Sequence, residues 1–296
     1  MNDQTKVGNG RSQPGAWSFY RVKNKIIFPL LKHIPLWIVV LTTVFPIYFA
    51  LTTSLKTNLE YSINKTLPSA SPTLENYTQI LMQPNFYVWV RNSAVLMLSV
   101  AILSIVIGAL AAFAFSQMKF AGQNVLLQVL LSLLVFPTIV LAIPLFVIFA
   151  QLHMINALPA VIIIYLGVTA PFTLFILTGF FRTMPNEILD AARIDGSSKM
   201  QLIRHILLPL TMPALITVAI VNANFVWNEL LIAVIFLQGQ EVKTLMSGIS
   251  AFGRFGVLDV PRVMASLVLA SLPMIIIYIV GQKSFIKGMT AGALHG

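Results

Sequence analysis

The sequence predicts an all-α membrane protein with six transmembrane helices, and three observations carry that prediction. Of the 296 residues, 57% are hydrophobic and only 9% are charged. A soluble domain carries about 25% charged residues, so lipid is the main solvent here. Six stretches are apolar over the roughly 20 residues that a bilayer crossing needs: 35–54, 93–115, 126–151, 158–180, 209–237 and 263–281. The basic residues lie between those stretches and divide unevenly, which sets an orientation.

Residues 1–33 form an N-terminal segment that opens polar. Its run 21–33 mixes basic and apolar residues, a composition shared by a surface-lying amphipathic segment and by the plain positive flank of a span. The first apolar stretch is too long for the core of a signal peptide and no cleavage pattern follows it, so it reads as an uncleaved span. The third and fifth stretches exceed one crossing, and the excess implies tilt or a helix that continues past the headgroups. Pro137, Pro144, Pro171, Pro213 and Pro273 fall within spans, where they are expected to kink helices.

Six spans bring both termini to one side. With both in the cytoplasm, that face carries Lys6, Arg11, Arg21, Lys23, Lys25, Lys32, Lys119, Arg182, Arg193, Lys199, Arg204, Lys283 and Lys287. The other carries Lys56, Lys65, Arg91, Lys243, Arg254 and Arg262. Thirteen against six places the termini and the loop 182–208 inside, and the loops 55–92 and 238–262 outside.

Several chemistries are excluded. There is no cysteine, so disulfides, thiolate metal sites and cysteine nucleophiles are absent. No Gly-Lys pair exists, hence no phosphate-binding P-loop. His33, His153, His205 and His295 are scattered and form no metal motif. The net charge of +10 follows from topology, so no nucleic-acid partner is expected. Neither a catalytic centre nor a cofactor is expected.

The polar loop "PNEILDAARIDGSSKMQLIRHILLPL" (185–210) specifies its own structure. Asn186 is a suitable N-cap, and Glu187 meets the positive end of the helix dipole. A helix of about two turns follows, and Gly196 fits the left-handed position that ends it. Ser198 and Gln201 have capping-box spacing for a second helix starting at Lys199. Pro209 suits the start of the fifth span. Ile188, Ala191 and Ala192 share a face, shallow enough for another protein to pack closely. Asp190 and Arg193 lie beside it. So short a helix needs a partner.

The pattern Asp190-Ala191-Ala192, Gly196, Ile206, Leu208-Pro209 resembles the "EAA" loop of permease subunits in bacterial ATP-binding-cassette importers. Only the first position departs, being Asp where the family has Glu. "PTLENYTQIL" (72–81), "VWVRNSAVLM" (88–97), "FAFSQMKFAGQN" (113–124), "VWNELL" (226–231) and "GMTAGALHG" (288–296) resemble segments of the carbohydrate-uptake branch. The tail departs at Leu294-His295, where the family tends to have Val-Lys.

The resemblance implies a MetI-like permease domain over 34–296, in a bacterial inner membrane. It implies a second related permease, a cytoplasmic ATPase dimer and an extracytoplasmic solute-binding protein as partners, and a carbohydrate as the solute. The loop would be the coupling helix that seats in the ATPase. Asp190 would pair with a basic residue there, and Ala191 and Ala192 would fill the groove. Gly196 would make the turn, while Ile206, Leu208 and Pro209 would fix the loop to the fifth span.

One further ionisable residue falls within a span, Glu229. An intramembrane charge is a functional expectation by default. Asn222, Asn224, Trp227 and Asn228 accompany it and could line a sugar path. The other reading puts Trp227 in the interfacial aromatic belt, with Glu229 reaching water. A self-contained secondary transporter is the alternative function; it would normally show inverted repeats and midplane charges, and neither is evident.

Overall fold

The computed structural model describes the backbone of residues 28–253 and 259–293, and the side chains of 33–252 and 259–282. Residues 1–27, Arg254, the side chains of Lys283 and Lys287, and Leu294-His295 of the tail lie outside the described residues. The chain is helical: α1 (Phe28–Ser54), α2 (Asn58–Ile63), α3 (Glu75–Leu81), α4 (Phe86–Gln117), α5 (Gln123–Ser132), α6 (Thr138–Gln151), α7 (Leu158–Arg182), α8 (Asn186–Ile194), α9 (Lys199–Leu210), α10 (Met212–Asn228), α11 (Leu231–Phe236), α12 (Leu245–Ser250) and α13 (Val260–Ala293). Residue 33, expected to close the N-terminal segment, lies inside α1.

Among the described residues, four helices are long and apolar enough to cross a bilayer unaided: His33–Ser54, Phe86–Gln117, Leu158–Arg182 and Val260–Gln282. The other two expected spans are bent pairs, and counting each pair as one crossing gives six. The third span, where Pro137 is expected to kink the helix, is broken outright. Its halves meet at 103°. Pro137 causes the break: it stands at the N-cap of α6, and the preceding Phe136 is extended, as a residue before proline prefers.

The fifth span differs from the expected 209–237 at both ends. Pro209 lies within α9, and the turn of 81° into α10 falls at Thr211. The Thr211 hydroxyl donates to Leu207 O at 2.6 Å, which satisfies a carbonyl at the elbow. Pro213 occupies the first turn of α10, where its missing N–H costs nothing. Pro137 and Pro213 thus mark helix starts. Pro144, Pro171 and Pro273 stand inside helices as expected.

Helices α4 and α7 pack along each other at the centre, α10 packs on both, and α13 joins α10 to α1. Half of the most apolar window of α7 is buried, against none in α1, so α1 meets its surroundings on almost every side. Gly108 allows the central approach, since a Cβ there would lie 2.3 Å from Thr173 Cγ2.

The motif 88–97 holds the loop between α11 and α12. Trp89 Nε1 donates to Gln240 O at 3.0 Å, Asn92 Nδ2 to Glu241 O at 2.8 Å and Lys243 O at 3.0 Å. Ser93 Oγ accepts Leu245 N–H at 2.8 Å. Within the motif 72–81, Asn76 Nδ2 donates to Ser54 O at 2.9 Å and Lys56 O at 2.8 Å, closing the segment after α1 onto the end of that helix. Buried backbone acceptors need such partners.

Candidate functional site

Two regions hold the residues that the sequence singles out. The first is the polar loop between α7 and α10. Pro185 stands at the N-cap of α8, and Asn186, expected there, is its first helical residue. Glu187 sits in the first turn as expected. At the other end Gly196 has φ +83°. The Gly196 N–H donates to Arg193 O at 3.1 Å and the Ser197 N–H to Ala192 O at 3.0 Å, the paired bonds of a Schellman termination. No atom lies within 4 Å of where a Cβ on Gly196 would sit. Conformation, and not space, therefore demands glycine here.

The expected capping box is present. Ser198 Oγ accepts Gln201 N–H at 3.3 Å, and Gln201 Oε1 accepts Ser198 N–H at 2.7 Å. Residues Leu202–Leu207 then widen into a π-helix, with Leu208 N–H bonding Ile203 O. A proline ring clashes with the carbonyl four residues back, here His205. The wider coil before Pro209 moves that carbonyl aside, and such coils are frequent at functional sites.

The loop is anchored on the chain's own core. Leu189, 1% exposed, packs in one cluster with Phe181 of α7, Leu202, Ile203 and Leu207 of α9, and Leu215 and Val218 of α10. Burying a leucine stabilises by about 1.5–3 kcal/mol. Ala192, Ile206 and Leu208 pack against the same cluster. This corrects the expected face: Ala192 turns inward with Leu189, while Ile188, Ala191, Ile194 and Met200 point outward. Asp190 Oδ1 accepts from Arg193 Nη1 at 2.7 Å with both side chains exposed. Pro209 is exposed.

Three polar side chains missed by sequence reasoning act where α4 meets the root of the loop: two join α4 to the end of α7, and the third closes the α4–α5 turn. Gln117 Nε2 donates to Phe181 O at 3.1 Å, Arg182 Nη2 to Phe115 O at 3.4 Å and Gln123 Nε2 to Phe115 O at 2.7 Å. The signal was there: two glutamines flank the turn in 113–124, where helix-end carbonyls need donors.

The second region is α10 and the break that follows it. Asn222, 1% exposed, donates to Ser104 Oγ of α4 and Thr173 Oγ1 of α7, each at 2.9 Å. Trp227, 3% exposed, donates through Nε1 to Ala270 O of α13 at 2.9 Å. Both were expected on a path, and Trp227 alternatively in an interfacial belt. Both are instead enclosed by the bundle. Asn224 and Asn228 are exposed one turn apart. Asn228 Nδ2 donates to Asn224 O at 2.8 Å and Asn224 Oδ1 at 3.0 Å. They line a groove of about 400 Å³ against α13, with Met246, Ser271, Met274 and Tyr278 on its other walls.

Glu229 is half-buried at the break. Its carboxylate accepts Ile232 N–H at 3.0 and 3.1 Å, Ala233 N–H at 3.2 Å and Tyr165 O–H at 2.6 Å. It caps α11 and does not simply reach for water. The larger cavity beside it, about 510 Å³, sits in the crook of the bent third span and is walled by apolar side chains such as Leu133, Phe136, Phe149 and Phe225.

This architecture has known counterparts. The model of the family described as "Binding-protein-dependent transport system inner membrane component" matches residues 104–291. The chain is 40% identical over 254 residues to ORF2 of Caldicellulosiruptor sp. (strain Rt8B.4), named as an ABC transporter permease protein, covering 85% of this chain and 91% of that one. It is 31% identical over 252 residues to the melibiose/raffinose/stachyose import permease protein MelC of Bacillus subtilis (strain 168), covering 85% and 91%. Its fold is similar to a chain in the crystal structure of a bacterial ABC transporter involved in the import of the acidic polysaccharide alginate. There the TM-score is 0.76 and the identity 21%, over 89% of this chain and 98% of that one. A helical bundle of four to six apolar spans among the described residues, an anchored polar loop and these likenesses agree: the chain belongs to the binding-protein-dependent transport system inner membrane components.

Proposed function

We propose that this chain is one permease subunit of an ATP-driven carbohydrate importer. It forms half of a translocation path whose other half is a second, related permease. The unit 34–296 spans the membrane and 1–33 is a cytoplasmic segment, with both termini inside, as the charge asymmetry requires. An extracytoplasmic solute-binding protein delivers the sugar, and an ATPase dimer seats the loop 182–208. The chain carries solute and performs no catalysis of its own.

The observation that carries this reading is the construction of the loop. Leu189 ties α8 to three spans, while Ile188, Ala191 and Ile194 stand exposed among the described residues. A lever transmits force only if it is stiff at its root and exposed at its tip. Asp190 exchanges Arg193 for a basic residue of the ATPase, at little cost because exposed pairs contribute about 0–1 kcal/mol. Ala191 and Ala192 set the depth of the knob, the latter from the inner side. Gly196 makes the turn, and Ile206, Leu208 and Pro209 join the loop to the fifth span. On the solute side, Asn224 and Asn228 offer amides to sugar hydroxyls, with methionine and tyrosine beside them for the apolar faces of the ring. Asn222, Trp227 and Glu229 act behind them. The relatives named as sugar permeases support the carbohydrate assignment.

The test is uptake by proteoliposomes holding the assembled importer, with a panel of labelled mono-, di- and oligosaccharides. Uptake that requires ATP, the second permease, the ATPase and the binding protein together is expected. Uptake by this chain alone, driven by an ion gradient, would overturn the reading in favour of a secondary transporter.

A further inference from the structure

The groove-facing asparagines are exposed, yet the helix that bears them is fastened on every other side. Asn222 fastens α10 to α4 and α7, and Trp227 fastens it to α13. The third fastening differs in kind. The helix stops at Asn228, and Glu229 is extended. At that point the regular backbone bonds lapse, and in a membrane span they must be replaced from within the protein. The Glu229 carboxylate replaces them, capping the first turn of α11 through Ile232 and Ala233.

The same carboxylate takes the hydroxyl of Tyr165, a fully buried residue of α7. The Tyr165 ring also meets Phe225 edge-on, with centroids 6.1 Å apart at 84°. Phe225 and Glu229 are one turn apart, so α7 grips one stripe of the fifth span at two heights. Asn224 and Asn228 form the neighbouring stripe, about 100° round the helix. A grip at two heights on one stripe fixes the rotation of the next.

We infer that Glu229, through Tyr165, is a positioning residue that sets the rotation of the fifth span at its break and thereby aims the Asn224–Asn228 edge into the groove against α13. This deepens the functional reading above, because it says what holds the solute-facing edge in place. It does not depend on which solute is carried.

The experiment reads rotation directly and needs no solute. The chain has no cysteine, so Asn228→Cys is its single thiol, labelled in the assembled importer by a small charged methanethiosulfonate reagent and read on this chain after the subunits are separated. In the Glu229→Ala background, which removes the Tyr165 bond and the α11 cap together, the thiol's labelling rate shifts by about tenfold, which is about 1.4 kcal/mol. Tyr165→Phe, which deletes one hydroxyl, shifts the rate in the same direction by less. Glu229→Gln keeps an acceptor for the α11 amides and stays near the parent rate. Combining Glu229→Ala with Tyr165→Phe adds nothing to Glu229→Ala alone, because the Tyr165 hydroxyl acts only through the Glu229 carboxylate. An unchanged rate in an assembled Glu229→Ala importer would overturn the inference. Should that variant fail to assemble, an unchanged rate in Tyr165→Phe overturns it equally. A failed sugar panel with these shifts intact would sink the substrate reading and leave this one standing.

Discussion

Replacing Gly196 separates backbone strain from packing more cleanly than any other change in the loop. Its φ is +83°, and the space around a new Cβ is empty out to 4 Å. The cost of a side chain is therefore conformational alone. An L-residue in the left-handed region costs about 1–2 kcal/mol, and a β-branched one more. The two Schellman bonds that the turn protects contribute about 1 kcal/mol each, and the Leu189 anchor about 1.5–3 kcal/mol. Gly196→Val thus costs a free energy comparable to the two Schellman bonds, leaving the Leu189 anchor to hold α8, while Gly196→Asn, which tolerates this conformation, costs little. The assay is the ratio of solute imported to ATP hydrolysed in proteoliposomes, with the amount of assembled importer as control. Gly196→Val should assemble in the membrane, hydrolyse ATP and import poorly; Gly196→Asn should stay near the parent ratio. If valine leaves the ratio untouched, the turn does not transmit the stroke and the lever reading fails.

Asp190→Ala should lower recovery of the ATPase in a detergent pull-down, whereas Arg193→Ala should not, because it removes only the partner within the chain; equal recovery for both would remove Asp190 from the interface. Asn222→Leu should lower the thermal unfolding midpoint only modestly. Ser104 and Thr173 also donate to their own helices, at Ala101 O and Thr169 O, so no buried hydroxyl is orphaned. The loss is two interhelical bonds at about 0.6 kcal/mol each, and a collapse of folding in that variant would contradict the accounting.

Local signals carried much of this protein. Gly196 ends α8 and Ser198 with Gln201 starts α9 because each is a short-range contract between a side chain and backbone groups two to four residues away. Neighbouring residues suffice to write it. The apolar runs were legible for the same reason, since burial in lipid is decided residue by residue. Orientation of a face was not. Ala192 turns inward because Leu189 is claimed by a pocket that α4, α7 and α10 build together, and no periodicity within nine residues encodes where that pocket is. The elbow at Thr211 and the 103° break before Pro137 arise where a proline permits a bend and the neighbouring helices choose its size.

Glu229 draws the line most sharply. By itself the sequence determined that a carboxylate interrupts the outer part of an apolar run, which marks a special position. Only the tertiary structure decided what it does there, by setting Tyr165, distant in sequence, at 2.6 Å from it. Solvent preference is a property of each residue and can be read along the chain, whereas a hydrogen-bond partner is a property of a place and exists only once the helices have packed.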